Sequence, residues 1–146
     1  MLINNQFVGT WLMLSWENRD KEGNVTYPFG QDAIGYVVYS EDGYMSTTLM
    51  TANRPNFTTD DVLGGTIEER AGAEETYVAY CGQYEIKDNT VTHHIKASLF
   101  PNWFDSYQKR FFEFKDDRLT LSTPLILIDG KWQTAYLIWR RASLTR

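Results

Sequence analysis

Residues 77–99 read YVAYCGQYEIKDNTVTHHIKASL. Two runs rich in aromatic and β-branched residues, 77–86 and 90–99, flank Asp88-Asn89, and this pattern predicts a β-hairpin. Side chains alternate across a strand, so charged positions mark the solvent face and their neighbours the covered one. Gln83 and Glu85 point outward, which sends Tyr80, Gly82, Tyr84 and Ile86 inward. Thr92, His94 and Lys96 point outward, which sends Val91, His93, Ile95, Ala97 and Leu99 inward. The covered face is apolar except for two tyrosines and one histidine.

The pattern repeats in both directions from this hairpin. After the break at Pro101-Asn102 comes a strand at 106–114, with Lys109 and Glu113 outward and Gln108, Arg110, Phe112 and Phe114 inward. The turn Lys115-Asp116-Asp117 leads to 119–123, where Leu119 and Leu121 face inward. Pro124 ends that strand, 125–128 can extend beyond it, and Asp129-Gly130 turns into a last strand at 132–140. Upstream, 9–17 reads GTWLMLSWE; placing Trp11 inside places Met13, Ser15 and Glu17 there too. A strand at 34–39 turns at Glu41-Asp42-Gly43 and returns over 44–50. Residues 51–65 read as loop. Thr66 and Glu69 then form a capping box that starts the one convincing helix, over about 67–76, with Gly72 weakening its interior. About eight or more short strands joined by tight hairpins predict an all-β chain, an up-and-down antiparallel barrel or a sandwich.

The 146 residues suit one domain spanning 1–146, and 42% hydrophobic content suffices for a core. A formal charge of -5 without a Lys/Arg cluster argues against nucleic acid and anionic membranes as partners. One cysteine, Cys81, cannot form an internal disulfide. The first residues show no signal-peptide pattern, and no run approaches the ~18 apolar residues of a membrane span. The cytoplasm is the expected location. Oligomeric state is not legible.

Several segments resemble the lipocalin-like domain family, the short cytosolic relatives of lipocalins found in bacteria and fungi. They are Gly9-Thr10-Trp11, Gly35-Tyr36, Asp42-Gly43-Tyr44-Met45-Ser46, Tyr80-Cys81-Gly82-Gln83-Tyr84, Thr92-His93-His94-Ile95, Ser98-Leu99-Phe100-Pro101-Asn102-Trp103, Gln108 with Arg110, and Arg118-Leu119-Thr120-Leu121-Ser122-Thr123. The chain departs from the family pattern at Cys81, where Ser is common, and at Phe104-Asp105, where a Gly is common. The resemblance implies a lipocalin-like up-and-down β-barrel with one short helix that binds a hydrophobic small molecule. It also implies that an Arg near the chain end, Arg140 or Arg141, packs on the Gly-x-Trp indole.

The inferred lumen holds apolar walls and a few polar groups, the composition of a small-molecule site. Expected ligand contacts are Trp11, Met13, Ser15, Tyr39, Met45, Tyr80, Gln108, Phe112, Trp103 and Trp139. Candidate catalytic groups are His93, Arg110, Tyr84 and Glu17. His93 is either a general acid/base or a core histidine satisfied by tyrosine hydroxyls. An inward Arg110 needs a partner, either Glu17 or an acidic group on the ligand, or it stacks on Trp11. A tyrosine beside these groups could hold an oxyanion or simply pack. His93 and His94 point to opposite faces and cannot share one metal, and no metal or cofactor motif occurs. Two functions follow: binding of a small hydrophobic or aromatic metabolite, or a cofactor-free isomerase, cyclase, hydratase or lyase acting on one.

Overall fold

The computed structural model describes residues 5–143. Its strands are β1 (Gly9–Arg19), β2 (Val25–Thr26), β3 (Ile34–Tyr39), β4 (Tyr44–Met50), β5 (Tyr77–Lys87), β6 (Thr90–Ser98), β7 (Tyr107–Lys115), β8 (Arg118–Ser122), β9 (Ile126–Ile128) and β10 (Lys131–Arg141). One helix, α1 (Ile67–Glu75), precedes β5, and a 3-10 turn (Pro101–Trp103) precedes β7. Eight strands pair antiparallel in the order β1-β3-β4-β5-β6-β7-β8-β10, and β10 returns to β1, with Trp11 opposite Arg141 and Arg19 opposite Thr134. The barrel is therefore closed, which leaves no long open edge. The short strands β2 and β9 extend β1 and β10 at one end.

Local chemistry explains the hairpins. Asp88, Asp116 and Asp129 adopt φ near +54°, +57° and +51°, a region that short side chains such as Asp tolerate. The α1 capping box forms as the sequence requires: Glu69 N–H donates to Thr66 Oγ1 at 3.1 Å and Thr66 N–H to Glu69 Oε1 at 2.9 Å. None of α1 is buried, so the helix decorates the barrel rather than building its core. No helix of the described residues is long and apolar enough to cross a membrane.

Alternation holds along β3, where Gly35, Val37 and Tyr39 are buried, and along β4, where Met45, Thr47 and Leu49 are buried. Two bulges reverse it elsewhere. The β1–β10 register slips between Met13 and Ser15, so Met13 faces inward and the next inward residues are Trp16 and Asn18. The expectation that Ser15 and Glu17 share Trp11's face is thereby corrected: Glu17 lies on the outer face and pairs with Arg19 at 3.0 Å. The β5–β6 register slips at Gly82, which pairs with Ile95 while Cys81 pairs with Ala97, leaving Lys96 as the extra residue. Ala97 and Leu99, expected inside, are exposed for this reason. Gly82 is required by the close approach, because a Cβ there would lie 2.0 Å from the His94 carbonyl oxygen.

One barrel end is plugged by aromatics. Phe7 sits between Tyr39 (5.0 Å between ring centres), Phe112 (4.8 Å) and Phe114 (4.9 Å). Trp11 Nε1 donates to the Phe7 carbonyl at 2.9 Å, and Arg141 lies 4.2 Å above the indole. Arg141 also donates to the Val8 and Gln6 carbonyls, which ties the last strand to the start of the chain. Arg141, rather than Arg140 or Arg110, thus covers Trp11.

Candidate functional site

The opposite half of the barrel holds a partly open cavity of about 210 Å³. Val37, Leu49, Val78, Leu121 and Leu137 supply apolar wall from five strands, and Trp16, Trp103 and Trp139 supply indole faces. Ile126, Leu127 and Ile128 of β9 cover it from one side. The polar residues of the wall are Thr47, Tyr80, His93, Arg110 and Thr123. An apolar cavity of about 150 Å³ takes benzene, so this one has room for a single substituted ring.

His93 lies between the plug and the cavity. Its Nε2 is 2.7 Å from the Tyr39 hydroxyl, and its Nδ1 is 2.7 Å from the Tyr80 hydroxyl. Burial, with the Arg110 charge adding to it, lowers the His93 pKa to about 3, so the ring is neutral. A neutral imidazole has one donor and one acceptor nitrogen. Among the described residues Tyr39 has no other hydrogen-bond partner, so a Tyr39 that accepted from His93 would leave its own proton unpaired in the plug. Either tautomer leaves one phenol proton without an acceptor among the described residues; with Tyr39 donating to Nε2 and Nδ1–H donating to Tyr80, that proton is on Tyr80, which lines the cavity, rather than on Tyr39 in the plug. Burial raises the pKa of both phenols; Arg110 draws that of Tyr80 part of the way back.

Arg110 is buried, with a relative exposure of 7%. Among the described residues its guanidinium donates to the Lys109 carbonyl at 3.0 Å and sits beside the Tyr80 hydroxyl, whose pKa it lowers through a side-chain hydrogen bond, and it makes no ion pair. It lies 5.9 Å from the Trp103 ring centre. The partner expected from the sequence, Glu17, is taken by Arg19. Trp139 carries a buried indole N–H without a partner.

The structure brings together five of the residues picked from the sequence: Tyr80, His93, Trp103, Arg110 and Trp139. It separates the rest from the cavity. Tyr39 and Met45 are buried toward the plugged end, Trp11 and Phe112 pack within the plug, and Met13 packs against Gly35. The Tyr84 hydroxyl donates to the Ser40 carbonyl at 2.8 Å, beside the β3–β4 turn, where it fixes a hairpin. Gln108 donates to Ser106 Oγ at 3.0 Å. Ser15 and Glu17 are on the outer face, as described. Alternation identifies which residues face inward but not how far along the axis they lie.

Trp16, Thr47, Thr123 and the β9 residues escaped the sequence reading. Charge marks at Glu17 and Arg19 could have signalled Trp16, since the same rule applied elsewhere puts Trp16 and Asn18 inside. At the cavity mouth, Asp105 takes φ +60° where the family commonly has Gly. Its backbone N–H donates to Ile95 at 2.7 Å, and its carboxylate accepts from Lys96 at 3.0 Å and lies 2.9 Å from His94. These contacts hold a left-handed turn without Gly.

The chain matches the lipocalin-like domain over residues 8–142. It belongs to the lipocalin-like domain family. A relative from Aspergillus oryzae (strain ATCC 42149 / RIB 40), the 4'-hydroxy-3'-methoxypropiophenone carrier protein ppsC, is 36% identical over 107 residues, covering 66% of this chain and 96% of the relative. A crystal structure of an uncharacterized protein from Bacteroides eggerthii DSM 20697 is 15% identical, with a TM-score of 0.48, over 92% of this chain and 99% of that one. In this lipocalin-like barrel, the Phe7 plug and the Trp11–Arg141 stack fill one end, and the cavity lies in the other half.

Proposed function

We propose that the barrel binds and carries one small aromatic metabolite, seated in the half opposite the Phe7 plug. The carrying observation is a mainly apolar cavity, open on one side, whose wall includes the buried polar groups of Tyr80, His93 and Arg110. Three indoles give a ring broad faces to pack against. The named carrier role of the Aspergillus oryzae relative points the same way. In this reading Arg110 and Tyr80 fix the ligand's polar end, and Trp103 covers it from the mouth. The isomerase, cyclase, hydratase or lyase alternative has less support from the geometry. Both His93 nitrogens are already bonded to phenols, and burial removes its basicity near neutral pH.

Tryptophan fluorescence tests this reading, because Trp16, Trp103 and Trp139 line the cavity. Titration with 4'-hydroxy-3'-methoxypropiophenone should quench emission to saturation at one molecule per chain. Native mass spectrometry of protein purified from its host should show a retained small molecule. Unquenched emission together with a bare protein mass would overturn the proposal.

A further inference from the structure

We infer that the ligand is held as an anion: a ring-sized apolar molecule with one acidic oxygen, its oxyanion placed between Arg110 and Tyr80. This rests on the binding reading above and specifies the chemistry of the bound group.

The argument begins with an imbalance of charge. A buried guanidinium without a counter-ion is costly, and proteins normally supply one. Here the cavity wall contains no Asp or Glu among the described residues, and Arg110 meets only neutral acceptors, the Lys109 carbonyl and the Tyr80 hydroxyl. Most of its five N–H groups lack a partner. The titratable groups facing it are Tyr80 of β5 and His93 of β6, with Tyr39 of β3 behind them, and all three are neutral near pH 7. From β8 and β10 the wall offers Leu121 and Trp139, which carry no charge. Lys109, the neighbour of Arg110 along β7, points outward and is exposed.

The hydrogen-bond inventory points the same way. Thr47 Oγ1 donates to the Tyr36 carbonyl, and Thr123 Oγ1 accepts from the Ala135 N–H. His93 is committed at both nitrogens. What remains is a set of donors. Arg110 has spare N–H groups, Tyr80 has a proton to give in the tautomer whose Nδ1–H faces it, and the Trp139 N–H is buried and unpartnered. Hydrogen-bond donors and one buried cation in the wall of a mainly apolar cavity favour an oxyanion over a neutral ether or ester of equal shape. Phenols, enols and carboxylic acids share this chemistry.

Two matched pairs separate these sources: 4-nitrophenol with 4-nitroanisole, and 4-nitrobenzoate with methyl 4-nitrobenzoate, titrated by fluorescence quenching. In at least one pair the acid should bind about tenfold or more tighter than its methyl derivative. Bound 4-nitrophenol should show the phenolate absorption band about one pH unit or more below its transition in buffer, a tenfold preference for the anion. Arg110→Met should erase the acid preference while affinity for the methyl derivatives stays, which also shows that the variant folds. Arg110→Lys should restore part of the preference, and Tyr80→Phe should reduce it several-fold.

Equal affinity within both pairs would overturn the anion inference and leave the binding proposal standing. So would an Arg110→Met variant that keeps the acid preference. Binding of none of the four compounds would overturn both.

Discussion

At the scale of single residues, Arg110 and His93 are both buried polar groups, but they differ in how they are satisfied. His93 is complete: each nitrogen has a phenol at 2.7 Å. Arg110 is incomplete, and its surroundings predict a stability cost in the ligand-free protein. Arg110→Met should therefore raise the thermal midpoint of the ligand-free chain, by a free energy of about 1 kcal/mol or more, readable by calorimetry. A fall in the midpoint would show that Arg110 is structurally paired. His93 makes a different prediction. Its pKa drops from 6.5 to about 3 on folding, so below pH 6.5 the unfolded chain binds a proton that the folded chain refuses. Stability should fall with pH by up to ~1.4 kcal/mol per unit from this group. Between pH 6.5 and 5, above the main carboxylate range, denaturant midpoints of the native chain should drop, and those of His93→Gln should stay flatter. Parallel slopes in the two proteins would reject this account.

At the scale of elements, bulges decide which side chains meet. The two-residue period is legible wherever charges alternate with apolar residues, as along β7, where exposed Lys109 and Glu113 alternate with covered Arg110, Phe112 and Phe114. A bulge adds one residue and inverts the phase beyond it. That inversion brings Trp16 into the cavity and sends Glu17 out, and at β6 it brings Ser98 opposite Tyr80. Gly82 is the visible trace of the second bulge, since only the absence of a Cβ admits the His94 carbonyl. Gly82→Ala should destabilise the barrel by about 3 kcal/mol or more, measured by urea unfolding, because backbone must move to relieve the contact. It should also disturb His93, one residue from the clash, and weaken ligand binding. A Gly82→Ala protein with unchanged midpoint would mean that β6 slides freely.

At the scale of the whole molecule, the barrel is asymmetric along its axis. One half is filled by its own aromatics around Phe7, and the other holds the cavity. Filling the second half should separate binding from folding. Ala135, small and buried in the cavity wall, is the place to do so. Ala135→Phe should fold, with a stability change within about 1–3 kcal/mol, yet lose at least about tenfold in ligand affinity and the ligand-induced rise in thermal midpoint. Retained affinity would place the ligand elsewhere.

The sequence by itself determined the all-β class, the eight strands that close the barrel, the hairpin turns, the α1 cap and the inward facing of Tyr80, His93 and Arg110. These follow from local rules: side-chain alternation, backbone preferences of Asp and Gly, and the spacing of Thr66 and Glu69. Only the tertiary structure decided which inward residues share a cavity and which fill the plug. It also decided that Arg141 rather than Arg110 covers Trp11, and that Glu17 faces outward and pairs with Arg19 rather than Arg110. Those outcomes depend on register, on bulges and on position along the barrel axis. All three are set by pairing between strands distant in the chain, and a period read along one strand carries no record of them.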